Sequence, residues 1–261
     1  MQTYRARRVV RADRGGSSWP VMVETEGGVF YTKLRGAAQA PASLVAEIIV
    51  GALADVLGLS VPSRVLIDIP DDIPIDDPHQ ELAQLLRWSV GRNLGFQLLP
   101  KVRGFTALDV PRVDAEVAST IVWLDGLVQN PDRTAKNPNL LWSEGRLWLI
   151  DHGASLGFQH DWRRITEDSP RAGWDARRHV LYERAMRIAR VDEALSARLT
   201  RAVLESAVQH VPDDFLAEAS DTARSRRRAA YVAFLWKRLR TPRPFVASVG
   251  QHPERPDLGC P

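Results

Sequence analysis

The stretch that decides the fold is Asn130-Pro131-Asp132-Arg133-Thr134-Ala135-Lys136-Asn137-Pro138-Asn139-Leu140-Leu141, answered downstream by Leu149-Ile150-Asp151-His152-Gly153. Asp132 and Asn137 stand five residues apart in a turn-rich loop. The loop leads into Asn139 to Trp142, a Glu144-Gly145 turn, and Arg146 to Ile150, which together read as a β-hairpin. Folding that hairpin back returns Asp151, at the end of its second strand, to the loop. Two carboxylates and an amide oxygen then converge. A few hard oxygen ligands that leave places for phosphate suit Mg²⁺. Phosphoryl transfer asks a protein mainly for neutralised phosphates and a carboxylate that orients the attacking hydroxyl. A lone Asp-x-x-x-x-Asn carries little, because both residue types populate turns for local hydrogen-bonding reasons. The weight lies in the joint spacing around a hairpin.

Upstream of the loop, Val113, Val117, Ile121, Leu124 and Val128 form an apolar stripe that predicts a helix ending before Asn130-Pro131. The first third of the chain reads as β-rich. A strand around Tyr4 to Ala12 is followed by the small, flexible loop Gly15-Gly16-Ser17-Ser18. Val21 to Thr25 and Val29 to Lys33 are then paired across a Gly27-Gly28 turn. Residues 41–57 switch to helical period, with Pro41 suited to the first helical position and Gly58 to the residue just past the end. Ser63 to Ile69 reads as a strand, Pro70 to Pro78 as a loop, and Glu81 to Trp88 as a short helix. Beyond Gly173 the pattern predicts helices over 176–190, 193–210 and 222–240, then an irregular proline-bearing tail from Thr241.

The Asp-x-x-x-x-Asn step, the short hairpin and the Asp-x-Gly after it resemble the catalytic loop and metal motif of the protein-kinase-like superfamily. The wording Asn130-x-Asp132-Arg133, Asn137-x-Asn139 and Leu149-Ile150-Asp151-His152-Gly153 is most similar to the bacterial HipA-like kinases, and more distantly to phosphatidylinositol 3- and 4-kinases. The resemblance implies ATP and Mg²⁺ as cofactors. It makes Asp132 the catalytic base or hydroxyl-orienting carboxylate, and Asn137 and Asp151 the metal ligands. It makes Lys33 the lysine on the α- and β-phosphates and Glu47 its helix partner. Gly15, Gly16, Ser17 and Ser18 would cover the phosphates, and the segment Phe96 to Pro100, with Gln97 and Leu99, would meet the adenine. Thr134 stands where many protein kinases carry a lysine, so Arg133 or Lys136 is expected to supply that positive charge. His152 replaces the phenylalanine of the protein-kinase metal motif and is expected to pack or to hydrogen-bond behind the site. Asn130 and Asn139 are expected to satisfy loop backbone, and Asp125 to orient the loop or lie exposed.

The fold expected from the resemblance is α+β and bilobal, with a small β-rich N-lobe over residues 1–100 and a mainly helical C-lobe over 101–261. Composition agrees with a globular chain: 261 residues, 44% hydrophobic and 26% charged. No apolar run approaches the roughly 20 residues that span a bilayer, and no cationic start precedes an apolar stretch, so neither membrane insertion nor a signal peptide is expected. The single cysteine, Cys260, rules out an internal disulfide framework, and a reducing cytoplasm is the natural setting. A net charge of +3 is too small to argue nucleic-acid binding, although arginines crowd the N-terminus (Arg5, Arg7, Arg8, Arg11) and the last helix. The eight tryptophans are scattered, which favours core roles over a base-stacking platform.

The expected activity is a HipA-like phosphotransfer to a protein Ser/Thr hydroxyl. A lipid or small-molecule acceptor, or adenylyl transfer, uses the same cluster, and the loop holding Asp161, Trp162, Arg163 and Arg164 is where the acceptor class would be set. A nucleotide-binding, toxin-like regulator acting through a small DNA-binding, antitoxin-like partner is the non-enzymatic alternative. The presence of the whole set Lys33, Glu47, Asp132, Asn137 and Asp151 argues against it.

Overall fold

The computed structural model describes residues 1–12, 19–37, 41–74, 80–216 and 218–247. The loop Gly15 to Ser18 and the tail beyond residue 247 lie outside them. The N-terminal part is sheet-rich and the C-terminal part helical.

Five strands close into a barrel: β1 (Thr3–Ala12), β2 (Val21–Thr25), β3 (Gly28–Lys33), β4 (Arg64–Ile69) and β5 (Gly91–Gln97), in the order β1-β2-β3-β5-β4. A parallel pairing of β1 with β4, from Thr3 opposite Leu66 to Arg5 opposite Asp68, joins the ends. Alternation explains the two faces of each strand. In β2 and β3, Val21, Val23 and Phe30 are buried inside the barrel beside Ile67 and Ile69. Met22, Tyr31 and Lys33 point the other way. The turn between β2 and β3 is Glu26-Gly27. Gly28 already belongs to β3, at φ +116, a region open to glycine. The helix α2 (Gln80–Trp88) covers the barrel's core with Leu82 and Leu86. In β5, a Cβ on Gly95 would stand 2.7 Å from Ile67 Cγ1 and 3.0 Å from Val65 Cγ2. Gly95→Val is therefore expected to cost about 1–3 kcal/mol by overpacking. Urea unfolding should show a lowered midpoint at unchanged slope.

The helix α1 (Ala42–Leu57) leaves the barrel and belongs to a second, larger core shared with the C-terminal helices. Gly58 closes it at φ +79, while Pro41 sits just before its first residue. The helix α3 (Ala115–Leu127) runs through this core and is buried on nearly every side. The expected stripe was thus too narrow, and its member Val117 is 39% exposed while Val113 precedes the helix. Asp114 caps it, accepting from the backbone N–H groups of Glu116 and Val117 at 2.8 and 3.2 Å. The hairpin β7 (Leu140–Ser143) and β8 (Arg146–Leu149) forms as expected, joined on one edge by β6 (Arg103–Gly104).

Beyond the hairpin the expected helix over 176–190 does not form. Single 3₁₀ turns occupy Ala176–Arg178 and Tyr182–Arg184, and regular helix begins with α4 (Ile188–Arg198). The reason is a competing tether: His179 bridges to Thr134, and Val180 N–H donates to the Arg133 carbonyl at 3.0 Å. The expected single helix over 193–210 breaks at Leu199-Thr200, where the Thr200 hydroxyl accepts from Val203 N–H and opens α5 (Arg201–Gln209). The long helix α6 (Asp221–Leu239) follows, and Pro244–Ala247 adds one turn, α7, where an irregular tail was expected. Phe245 on that turn is buried against Trp123, the ring centroids 5.5 Å apart. Among the described residues, no helix is long and apolar enough to cross a membrane.

Candidate active site

A cavity of about 390 Å³ opens under the barrel. The outward row Met22, Tyr31 and Phe96, aligned across β2, β3 and β5, lines it together with Lys33. Val61, Pro62, Leu141 and Leu149 add apolar wall, and Gln97, Leu98 and Leu99 run along one side. The expected base-contacting segment therefore does line a cavity. Lys33, Glu47, Asp151 and His152 supply its polar members, and Arg64 reaches it as well.

Lys33 ties three elements together. Its Nζ, at the end of β3, donates to Glu47 Oε1 of α1 at 2.5 Å and to Asp151 Oδ1, just past β8, at 2.6 Å. Burial disfavours the ammonium, but the Glu47 and Asp151 carboxylates outweigh it and hold its pKa above the ordinary lysine value. The lysine stays a cation in an enclosed place, which suits phosphate. Asp151 adopts a left-handed backbone at φ +54 and keeps its side chain 44% exposed. Non-glycine residues seldom take that conformation, and Asp tolerates it better than most.

The loop before the hairpin is built around Asp132. Its Oδ2 accepts from Asn137 Nδ2 at 2.9 Å and Asn139 Nδ2 at 3.2 Å, and its backbone N–H donates to Asn130 Oδ1 at 3.0 Å. The Thr134 backbone N–H donates to the Asn137 carbonyl at 2.9 Å, closing the loop on itself. Because the Asn137 amide nitrogen is spent on Asp132, its oxygen is the end left for another partner.

Arg133 does not face the cavity. Its side chain is wholly enclosed: Nε donates to Asp125 Oδ2 at 2.6 Å, Nη1 to the carbonyls of Asn139 and Ile150 at 2.5 and 3.2 Å, and Nη2 approaches His152 Nδ1 at 3.2 Å. One guanidinium thus fixes the 130–139 loop and the hairpin together. Lys136, the other expected cation, is exposed on the loop. Asp125 is the hub beneath, with 0% exposure; it also accepts from Asn130 Nδ2 at 3.0 Å and meets His179 Nε2 at 3.0 Å. Burial would raise its pKa, yet Arg133 and His179 hold it well below the usual carboxylate range.

His152 is buried and neutral, its pKa pushed down to about 3 by burial first and by Arg133 second. His179 is likewise lowered, by burial against the pull of Asp125. A base depressed in the folded state leaves the unfolded chain binding the extra proton, so stability falls as pH drops below the ordinary value of 6.5 toward about 3 for His152. Each such proton contributes a slope of roughly 1.4 kcal/mol per pH unit. His152→Phe should flatten the dependence by about one proton between about pH 4 and 6, read by urea unfolding at several pH values.

The donor set fits Mg²⁺: a half-exposed Asp151 carboxylate and the amide oxygen of Asn137 are both hard oxygens, and the Lys33 ammonium lies beside Asp151. The described residues hold no group of three acidic, His or Cys side chains suited to an all-protein metal cage. A nucleotide-borne Mg²⁺ needs only one or two carboxylates and takes its remaining ligands from phosphate and water.

Of the two expectations for Asp125, the structure takes the first, a buried residue bonded to the loop, and not exposure; sequence reasoning missed its partner His179, which lies 54 positions away. It also missed Tyr31 and Met22, although strand alternation with Lys33 points to Tyr31.

With this geometry in place, the comparisons with known proteins agree. Residues 7–242 match the HipA-like kinase family, and the chain belongs to that family. It is a kinase, and its chemistry is phosphotransfer. The fold is similar to that of the proinflammatory kinase CtkA of Helicobacter pylori, with a TM-score of 0.55 over 92% of each chain at 9% identity. No curated protein sequence matches this chain.

Proposed function

We propose that the protein transfers the γ-phosphoryl group of ATP, with Mg²⁺, to a protein Ser/Thr hydroxyl. The fold would then be bilobal, residues 1–100 and 101–261 forming two lobes with the nucleotide in the cavity between them. The observation that carries this reading is Lys33 held between Glu47 and Asp151 at the polar end of an otherwise apolar cavity. The apolar wall suits a purine, and Gln97 and Leu99 stand where the base would lie. Lys33 would move from Asp151 to the α- and β-phosphates while keeping Glu47. Asn137 and Asp151 would hold Mg²⁺, which neutralises the charge developing on the phosphates. Asp132, oriented through its Oδ2 by Asn137 and Asn139, presents its other oxygen to the acceptor hydroxyl. The acceptor oxygen forms the new bond to phosphorus, the bond to the ADP oxygen breaks, and the hydroxyl proton passes to Asp132. The loop around Asp132 is open, with Lys136 and Asn137 exposed, which suits a macromolecular acceptor.

Gly15 to Ser18 remain the proposed phosphate cover. Arg133, by its placement, supports the reading as the residue that holds the loop against the hairpin. The test is incubation with γ-labelled ATP and candidate acceptor proteins, in Mg²⁺ and in excess chelator, followed by phosphoamino-acid analysis. Phosphoserine or phosphothreonine formed only with Mg²⁺ is expected. Label confined to lipid or a small molecule would replace the acceptor assignment.

A further inference from the structure

Glu47, Gly51 and Asp55 follow one another at four-residue steps along α1, so they share one face of the helix. At one end of that face Glu47 accepts from Lys33 of β3. Two turns on, Asp55 accepts from Nη2 of Arg64, the first residue of β4. Between them the Arg64 guanidinium lies against Gly51: a Cβ there would stand 2.5 Å from Nη1, 2.7 Å from Cζ and 2.9 Å from Nε. No side chain fits under the fork where it now sits. Glycine weakens a helix interior, and this close approach accounts for one in the middle of α1. An exposed ion pair alone holds little. Here the Arg64 side chain is only 12% exposed, so enclosure and the glycine seat fix what the charge on Asp55 attracts.

We infer that Arg64 is a positioning residue for phosphotransfer: seated on Gly51 and tied to Asp55, it fixes where α1 lies along β4 and so keeps Glu47 within reach of Lys33. The inference rests on the reading of Lys33 as the phosphate-holding lysine. In that reaction Lys33 leaves Asp151 for phosphate while keeping Glu47. With α1 displaced, the lysine keeps only Asp151, which is then occupied when Mg²⁺ needs it. Arg64 also lines the cavity, so direct contact with the nucleotide is the competing role. Gly51 and Asp55 are not among the described residues that line it, and they separate the two roles.

The test compares Gly51→Ala, Asp55→Asn and Arg64→Met in the full chain. Alanine favours helix and meets only the tip of a flexible side chain, so Gly51→Ala folds and the guanidinium is what gives way. The readouts are the Lys33 Nζ resonance and the affinity for MgATP. The lysines are Lys33, Lys101, Lys136 and Lys237, so the spectrum of ¹⁵N-labelled lysine is readily assigned. All three variants are expected to move the Lys33 resonance and to weaken MgATP about tenfold, the loss of roughly one hydrogen bond to a charged group. The urea midpoint of Gly51→Ala should stay near the wild-type value. An unmoved Lys33 resonance in both Gly51→Ala and Asp55→Asn overturns the clamp. So does an MgATP affinity that Lys33→Met weakens but Gly51→Ala and Asp55→Asn leave intact; a loss confined to Arg64→Met would then make its guanidinium a direct nucleotide contact. MgATP binding left unchanged by Lys33→Met overturns the phosphate role of Lys33 instead, and the resonance alone then decides the clamp.

Discussion

Replacing Asp132 by Ala is expected to lower phosphoryl transfer by about 10²–10⁴-fold, the range for losing a positioned proton acceptor. MgATP binding should stay near the wild-type value. The split follows from geometry. Asp132 is held by the amides of Asn137 and Asn139 and by the backbone contact to Asn130, and it makes no bond to Lys33. Asp151 does, through Oδ1 at 2.6 Å, and lines the cavity. Asp151→Asn should therefore weaken Mg²⁺-dependent nucleotide binding more than Asp132→Asn does. Titration of a fluorescent nucleotide with and without Mg²⁺ checks the order. The reverse order would mean that the roles of the two carboxylates are exchanged.

The second large effect lies below the cavity. Asp125→Ala leaves the Arg133 guanidinium buried with no acid, and should cost about 3–5 kcal/mol of stability. It also removes the acceptor of Asn130 and His179, so the loop, the hairpin end and the 179–180 segment lose their common anchor. A double variant, Asp125→Leu with Arg133→Met, should be less destabilised than Asp125→Ala, because no lone charge remains. Denaturant unfolding of the wild type and both variants measures the two costs. A cost below about 1 kcal/mol for Asp125→Ala would show that the network is not what holds the loop.

Much of this was legible from local spacing. The residue pattern put Lys33 at the end of a strand and Glu47 in a helix, the family resemblance singled the two out, and the hairpin between Asn137 and Asp151 followed from turn chemistry. What failed to show depends on distant partners. His179 reads as one more polar residue in a helical pattern until the 133–134 segment and Asp125 are known to lie beside it, and the backbone tether of 179–180 to Arg133 and Thr134 is what keeps residues 176–180 from becoming helix. Arg133 looked like a cation for phosphate because sequence gives its charge but not its direction. The Val117 stripe misled because α3 is enclosed on nearly every side, so its apolar residues mark no single face.

The most direct measurement is a ³¹P NMR spectrum of ATP incubated with the pure protein, Mg²⁺ and an acceptor. The proposed chemistry predicts loss of the γ resonance, growth of the two ADP resonances and a new phosphate-ester signal, all absent with Asp132→Ala. AMP and pyrophosphate in place of ADP, or an ATP spectrum unchanged with every acceptor tried, would contradict it.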